Sequence, residues 1–506
     1  MLKQLKLKYY AILVSLVNLV FYQYPFFKFV LASSNTNSVS GVLLLLSLII
    51  AAIVLNAFVF YIGLYLLRNV GKWLLVVFFN ISTIAVYFIN TYGVIIDRSM
   101  IGNVFNTNYE ESSSFLSFGL LLYILFLGLL PSFFLFKFKI IRPQLKRFLI
   151  STGLTLLFLG ILVFANSSNW LWIDKNSKTL GGLVMPWSYV VNTSRYYSHI
   201  NKKNKKQILL PNATIKDDDK SIAVLVIGES ARSENFSLYG YDKNTNPLLS
   251  QIEGLKHFET ESCATYTRAG LQCILEHKDT GKLYEILPNY LFRNDVEVIW
   301  KTTNWGEPKV IIDNFQNKEM LRKNCEGPDC EYDGVLLKGL KDEILASKKN
   351  KILVVLHTST SHGPTYFEKY PKQFEKFTPV CKSVELANCT QEELINAYNN
   401  TILYTDFIVA NLIDDLKQLK EYKSTMIFIS DHGESLGEKG LYMHGIPASL
   451  APKEQLEIPF IVWTSDNSRK IKENQGHSQH NIFHSVLDFL AIDSPIYEQD
   501  MSIFKN

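Results

Sequence analysis

The chain has 506 residues, 51 Lys plus Arg against 47 Asp plus Glu, a net charge of +4 and 48% hydrophobic residues. That balance excludes the concentrated positive charge that nucleic-acid binding needs, and the length allows several domains. The average hides two unlike halves, because the apolar residues crowd before residue 170.

Apolar runs at Tyr9 to Phe27, Val42 to Leu67, Trp73 to Ile96, Phe115 to Phe136 and Phe148 to Ala165 each approach or exceed the ~20 residues a helix needs to cross hydrocarbon. Five spans are expected. Lys3, Lys6 and Lys8 form a positive leader, but four more apolar runs follow and no small-residue cleavage site does, so the first run reads as a span rather than a signal peptide. Arg68 and Lys72, then Lys137, Lys139, Arg142, Lys146 and Arg147, fall in alternate connections, which places these and the N-terminus in the cytoplasm. An odd number of spans then exports the C-terminal part. All six cysteines lie beyond residue 260, as the close pairs Cys263/Cys273, Cys325/Cys330 and Cys381/Cys389, and in an exported domain local disulfides are expected.

Trp170, Trp172 and Trp187 with Tyr189, Tyr196 and Tyr197 suit a segment at headgroup level, where aromatic rings keep one end wet. The polar run from Asn201 to Lys220 reads as a solvated linker, without the aromatic interleaving of a nucleic-acid-binding stretch. The expected organisation is a transmembrane domain at 1–166, an interfacial bridge and linker at 167–220, and an exported catalytic domain at 221–506.

From Ser221 onward, short β-rich runs alternate with longer mixed segments. Ile222 to Ile227, Val296 to Trp300, Ile352 to Leu356, Thr425 to Ile429 and Pro459 to Trp463 read as buried parallel strands. Glu392 to Leu419 and Ile482 to Leu490 read as helices, so the fold class is α/β, a mostly parallel central sheet flanked by helices.

In such sheets ligands collect beyond the carboxyl ends of the strands. Glu229 follows the first strand, His357 and His362 follow the third, and Asp431 with His432 follows the fourth. Carboxylate and imidazole together suit a borderline metal such as zinc, which in a catalytic site keeps a position for a reacting oxygen. A metal also lowers the pKa of a coordinated hydroxyl, and hydroxyls stand in the loop Cys263 to Cys273, where Thr265 and Thr267 are equivalent by sequence alone. His477, His480 and His484 lie at or beside a helix and read as ordinary packed or capped residues.

This combination resembles the phosphoethanolamine transferases that modify lipid A, including the mobile colistin-resistance enzymes, within the alkaline-phosphatase and sulfatase superfamily. The resemblance covers nearly the whole chain. It implies that Thr267, four residues after Cys263 and six before Cys273, is the nucleophile, and that Glu229, Thr267, Asp431 and His432 hold Zn2+, one ion tightly and a second as an option. His362 in His362-Gly363-Pro364 and His444 in Leu441-Tyr442-Met443-His444-Gly445 match histidines placed around the phosphate. Asn304 matches a substrate-contacting asparagine, while the lysine expected eight residues after Trp300 is displaced, with Pro308 there and Lys309 beside it. Asn103, Thr107 and Glu111 fall in a segment resembling the one that contacts donor lipid. Arg268 and Gln272 stand where the family usually has a small residue and a proline.

The resemblance implies a monomeric enzyme of the bacterial inner membrane with its catalytic domain in the periplasm. Phosphatidylethanolamine would be the donor and lipid A the acceptor, with resistance to cationic peptides such as polymyxin as the consequence. Another glycan or a protein as acceptor, a phosphoglycerol transferase of the lipoteichoic-acid synthase type, and a membrane-anchored hydrolase are the alternatives. The paired cysteines argue against the phosphoglycerol transferase. A transporter is disfavoured because the spans lack ionisable residues apart from Lys28 near an end.

Overall fold

The computed structural model describes residues 3–34, 38–107, 109–165, 169–203, 207–323, 325–466, 469–472 and 476–505. The chain divides into two units, Met1–Gly102 with Leu116–Tyr197, and Asn103–Phe115 with Ser198–Asn506. The segment 167–220 is shared between them.

In the first unit, four helices are long and apolar enough to span a membrane: Val39–Leu67, Asn69–Tyr92, Phe118–Leu135 and Leu145–Ala165. The first expected span is broken. Leu7–Tyr22 and Tyr24–Ser33 meet at a bend of 64°, so five spans are reached only by counting the bent pair as one. Pro25 enters the first turn of the second helix, where its missing N–H and its ring prevent continuation from the preceding helix. Gln23 at the break is buried and donates to Asn18 Oδ1 at 2.8 Å, which satisfies a polar side chain that hydrocarbon would leave unpaired. The helix Phe118–Leu135 carries a second proline and runs on through it. Pro131 cannot donate to the carbonyl of Leu127, and Tyr22 Oη donates to that oxygen at 2.5 Å instead. Lys3–Lys6 pairs in parallel with Phe138–Ile141, bringing two of the basic segments together. Trp187 and Tyr189 are tied to the helices, with Trp187 Nε1 donating to Asn56 Oδ1 at 2.9 Å and Tyr189 Oη 3.2 Å from Ser82 Oγ.

The second unit is built on a seven-stranded sheet, whose strands are numbered here in chain order: β1 (Ser221–Gly228), β2 (Lys256–Glu261), β3 (Glu297–Thr302), β4 (Asn314–Gln316), β5 (Lys351–His357), β6 (Lys423–Ser430) and β7 (Glu457–Thr464). Their spatial order is β2-β7-β6-β1-β5-β3-β4. β1 lies between β5 and β6, parallel to both, and β3 and β4 extend the parallel run. β7, expected to be parallel, is antiparallel to β6 and to β2. The connection from β6 to β7 contains no helix longer than three residues, and without a crossover helix the chain returns beside its own strand in the opposite sense. The edge strands β2 and β4 escaped the sequence reading because neither is an apolar run.

Ala223, Leu225 and Ile227 join Leu353, Val355, Ile427 and Ile429 in one core with residues of the helices α1 (Thr267–Leu275) and α3 (Asn481–Phe489). The alternating residues Ile222, Val224 and Val226 are equally buried and point the other way. The 28-residue helix α2 (Gln391–Gln418) contacts β6 and starts at a capping box between Thr390 and Glu393. In register, Ile227 faces both His357 and Ile429, and Gly228 faces Ser430. Three neighbouring strands therefore end at one level, where Glu229, the residues after His357, and Asp431 emerge.

Candidate active site

Glu229, Asp431 and His432 are almost wholly buried, and Thr267 is nearly so. His432 Nδ1 is 2.9 Å from the carbonyl of Gly433; since a carbonyl only accepts, Nδ1 carries the proton and Nε2 presents a lone pair. That nitrogen is 3.4 Å from Glu229 Oε1, 3.3 Å from Asp431 Oδ2 and 3.4 Å from Thr267 Oγ1. Thr267 Oγ1 is also 3.2 Å from Glu229 Oε2. Asp431 Oδ1 accepts from the backbone N–H groups of Ser230 and His432 at 3.0 and 2.8 Å, while Oδ2 is buried without a hydrogen-bond partner. Three acceptors and one hydroxyl thus converge on one another, and only a cation or added protons make that arrangement stable.

The donor set fits zinc. Ligands 2.0–2.1 Å from a tetrahedral ion stand about 3.3–3.4 Å apart, close to the separations observed. Charge points the same way. Burial, then repulsion from Asp431, pushes Glu229 up to about 7, and burial pushes Asp431 up to about 6. Burial, then neighbouring His444, pushes His432 down to about 4, so the imidazole is neutral and free to ligate at neutral pH.

Local sequence explains how each group is aimed. Thr267 is the first residue of α1, so the expected hydroxyl-rich loop becomes a helix at the position expected for the nucleophile. Cys263–Cys273 ties the entering chain to that helix, and Cys325–Cys330 and Cys381–Cys389 are also bonded. Thr265 is separated from Thr267 by its partner, donating to the carbonyl of Ile446 at 2.6 Å. Gly270 lets α1 approach the Asp431 loop, since a Cβ there would lie 2.3 Å from the Asp431 carbonyl oxygen. Ser230 holds φ +52°, a conformation uncommon for a side chain outside functional sites.

Comparison with known proteins gives the same answer over both halves. A family profile described as Phosphoethanolamine transferase EptA/EptB matches residues 49–200, and the Sulfatase profile matches 221–492. Phosphoethanolamine transferase EptA of Helicobacter pylori is 38% identical over 528 residues, covering 100% of this chain and 98% of its own. The chain belongs to the phosphoethanolamine transferase family. Another relative is Phosphatidylethanolamine transferase Mcr-1 of Escherichia coli, 32% identical over 78% of this chain and 79% of its own. The solved integral membrane lipooligosaccharide phosphoethanolamine transferase A (EptA) of Neisseria meningitidis superposes with a TM-score of 0.90 at 26% identity, covering 99% of both chains.

Within this transferase, the remaining candidates divide. His444 packs on His432 with ring centroids 4.3 Å apart, and its ring can join Glu229 and His432 in one metal-sized group. His362 is buried between Trp305 and His444, at centroid distances of 4.9 and 5.4 Å, beside a cavity of about 300 Å³ that Lys318, Arg322 and Lys369 also line. Burial holds both histidines below their ordinary pKa. Asn304 is in the cluster, donating to Glu229 Oε2 at 2.6 Å. Asn103 lies against Gly445, the residue after His444, and Thr107 Oγ1 donates to the Asn103 carbonyl at 2.7 Å. The side chain of Glu111 lies outside the described residues. Lys309 is exposed; its carbonyl accepts from Asn289 at 2.8 Å, and its ammonium has no bonded partner among the described residues.

His477 and His484 are packed residues, bonded to the carbonyls of Lys472 and His277. His480 lies near Cys263 and Cys273, but these sulfurs are bonded to each other and are not thiolate donors. Glu434 was missed. It is fully buried two residues after His432, 3.1 Å from His444 Nδ1, and burial pushes it up to about 8. The acid in Asp431-His432-Gly433-Glu434 was the signal.

Proposed function

We propose that the protein transfers phosphoethanolamine from phosphatidylethanolamine to lipid A in the bacterial inner membrane, through a covalent ester on Thr267. The observation that carries this reading is the convergence of Glu229, Asp431 and the Thr267 hydroxyl on His432 Nε2. The names of the relatives support both ends of the transfer, donor lipid for Mcr-1 and a lipooligosaccharide for the Neisseria enzyme.

Glu229, Thr267, Asp431 and His432 hold one zinc ion, all from one chain, so a monomer suffices; His362 and His444 flank a place for a second. When bound, zinc lowers the pKa of the coordinated hydroxyl and neutralises charge on phosphoryl oxygens. Thr267 Oγ1, relieved of its proton toward Glu229 Oε2, attacks phosphorus, and the bond to the diacylglycerol oxygen breaks. The departing oxygen takes up the proton that Glu229 accepted, while His362 and His444 stand beside the phosphate and hydrogen-bond to it as neutral imidazoles. An oxygen of the acceptor then attacks the same phosphorus, and Thr267 leaves with its oxygen. The positive end of the α1 dipole, at Thr267, stabilises the charge that develops. Asn103, Thr107 and Glu111 serve the donor lipid, and the catalytic unit stands in the periplasm.

Purified full-length protein carrying its lipids is expected to show one headgroup-sized mass adduct on the peptide that contains Thr267. An adduct on any other peptide sinks the nucleophile assignment. In cells, overexpression is expected to add phosphoethanolamine to lipid A and raise polymyxin resistance.

A further inference from the structure

Behind the cluster lies a buried pair to which the transfer gives no task. His357 ends β5 and is fully buried, and Glu307 stands in the loop after β3 with 14% of its side chain exposed. His357 Nδ1 is 3.0 Å from Glu307 Oε1, which also accepts from Thr302 Oγ1 at 2.6 Å. A carboxylate only accepts, so Nδ1 holds the proton and Nε2 turns its lone pair the other way. That lone pair meets Asn304 Nδ2 at 3.1 Å. The same amide nitrogen is 2.6 Å from Glu229 Oε2 and 2.8 Å from the carbonyl of Thr358.

The amide has no second orientation. Asn304 Oδ1 accepts from the N–H of Trp305 at 2.9 Å, and a flip would set that oxygen against three acceptors while leaving the N–H facing a donor. Nδ2 shares its two hydrogens among three acceptors, Glu229 Oε2, the Thr358 carbonyl and His357 Nε2, so that the position of each bears on the others. A buried ion or hydrogen-bonded pair contributes little to stability over apolar residues of like size, so packing alone does not account for an acid and an imidazole at this place.

Resting on the reading of the cluster as a zinc site, we infer that Glu307 and His357 are positioning residues which, through Asn304, hold the Glu229 carboxylate toward His432 Nε2 and Thr267 Oγ1. Outer partners of metal ligands typically change metal affinity or activity by about 10–100-fold when removed. Glu307 reaches Asn304 mainly through His357 and also through Thr302 Oγ1, which accepts from the Asn304 N–H at 3.0 Å, so the two losses overlap in part and fall short of their full product.

The test uses the full-length protein in detergent, as wild type, Glu307→Gln, Glu307→Asp, His357→Phe and the double variant Glu307→Gln/His357→Phe. Zinc affinity is measured against a competing chelator, the visible bands of the cobalt-substituted protein report the ligand geometry, and Tm of the metal-free form reports folding. Glu307→Gln is expected to weaken zinc about 10-fold and His357→Phe up to about 100-fold, each with a shifted cobalt band. Glu307→Asp recovers part of the loss, and the double variant loses less than the product of the two single losses. The positioning role is overturned if the wild type binds zinc while Glu307→Gln, folded as well as wild type, keeps its affinity and cobalt band. It is equally overturned if the double variant shows the full product of the single losses. A wild type that binds no zinc overturns the metal reading itself.

Discussion

Gly270 offers the sharpest check on the placement of Thr267, because the consequence of a single methyl group is set by geometry. A Cβ at residue 270 would stand 2.3 Å from the carbonyl oxygen of Asp431, 2.9 Å from its carbon and 3.0 Å from its Cβ. A carbon needs about 3.3 Å from an oxygen, so one side must move by roughly 1 Å. The Asp431 loop is the pinned partner, since its carbonyl accepts from Gln479 Nε2 at 2.8 Å and its N–H donates to Gly228 at 2.9 Å. Hence α1 moves, and Thr267 moves with it. Overpacking of this kind costs about 1–3 kcal/mol, while a displacement of about 1 Å at a reacting group lowers rate about 100-fold. Alanine is otherwise favoured over glycine within a helix by about 1 kcal/mol, so a loss isolates the contact. Gly270→Ala is assayed by labelled headgroup transfer and by Tm. Gly476→Ala, where nothing lies within 4 Å of the added carbon, serves as the neutral control. Full transfer by Gly270→Ala would refute the account of how α1 sets the nucleophile.

Thr267→Ala is expected to abolish both transfer and the covalent adduct while Tm stays near wild type, and Thr267→Ser to retain part of the transfer; an adduct surviving in the alanine variant would exclude this hydroxyl. Removing metal with a chelator is expected to lower stability by about 2.7 kcal/mol relative to protein with free zinc at 100 times its Kd, read as a drop in Tm that added zinc reverses; a Tm indifferent to both would contradict the cluster's role. Burial, with Lys278 and His484 adding to it, pushes His277 down to about 4. The unfolded chain therefore takes up a proton that the folded protein refuses, and stability present above about 6.5 is lost as pH falls toward 4. At about 1.36 kcal/mol per unit this amounts to at most about 3 kcal/mol, reduced by solvent screening to roughly 1–2 kcal/mol, and His277→Phe, packed on Tyr284 and Phe483, is expected to flatten that part of the curve; an unchanged slope would assign the acid sensitivity elsewhere.

The sequence made legible what periodicity and strand ends control. Ile222 to Ile227 and Thr425 to Ile429 announced central strands because both faces of the sheet are covered, and the acids behind them marked the site. The bend at Gln23 was illegible as such, for Pro25 lies within an apolar run of span length and hydropathy does not register a broken helix. Thr267 could not be told from Thr265 without the resemblance, because only the turn into α1 sends one hydroxyl to Glu229 and the other to Ile446. Glu307 carried no signal at all. Its task depends on His357, fifty residues on, and sheet register rather than spacing brings the pair together.

Glu229 and Asp431 are buried side by side, yet among the described residues neither has a lysine or arginine as ion-pair partner. Arg232 nearby is committed to Glu438 and Asn235. A fixed lysine among them would have balanced the charge permanently and occupied the space beside Thr267 Oγ1. An exchangeable cation would balance it while leaving one side of the group open to phosphate oxygens, as the proposed transfer through Thr267 requires. The uncompensated acids are therefore better understood as the half of a site that metal completes than as a defect of packing, and the same logic explains why Asn304 turns its amide nitrogen toward Glu229. An amide can steady a carboxylate without neutralising it, and so leaves the charge available to the ion.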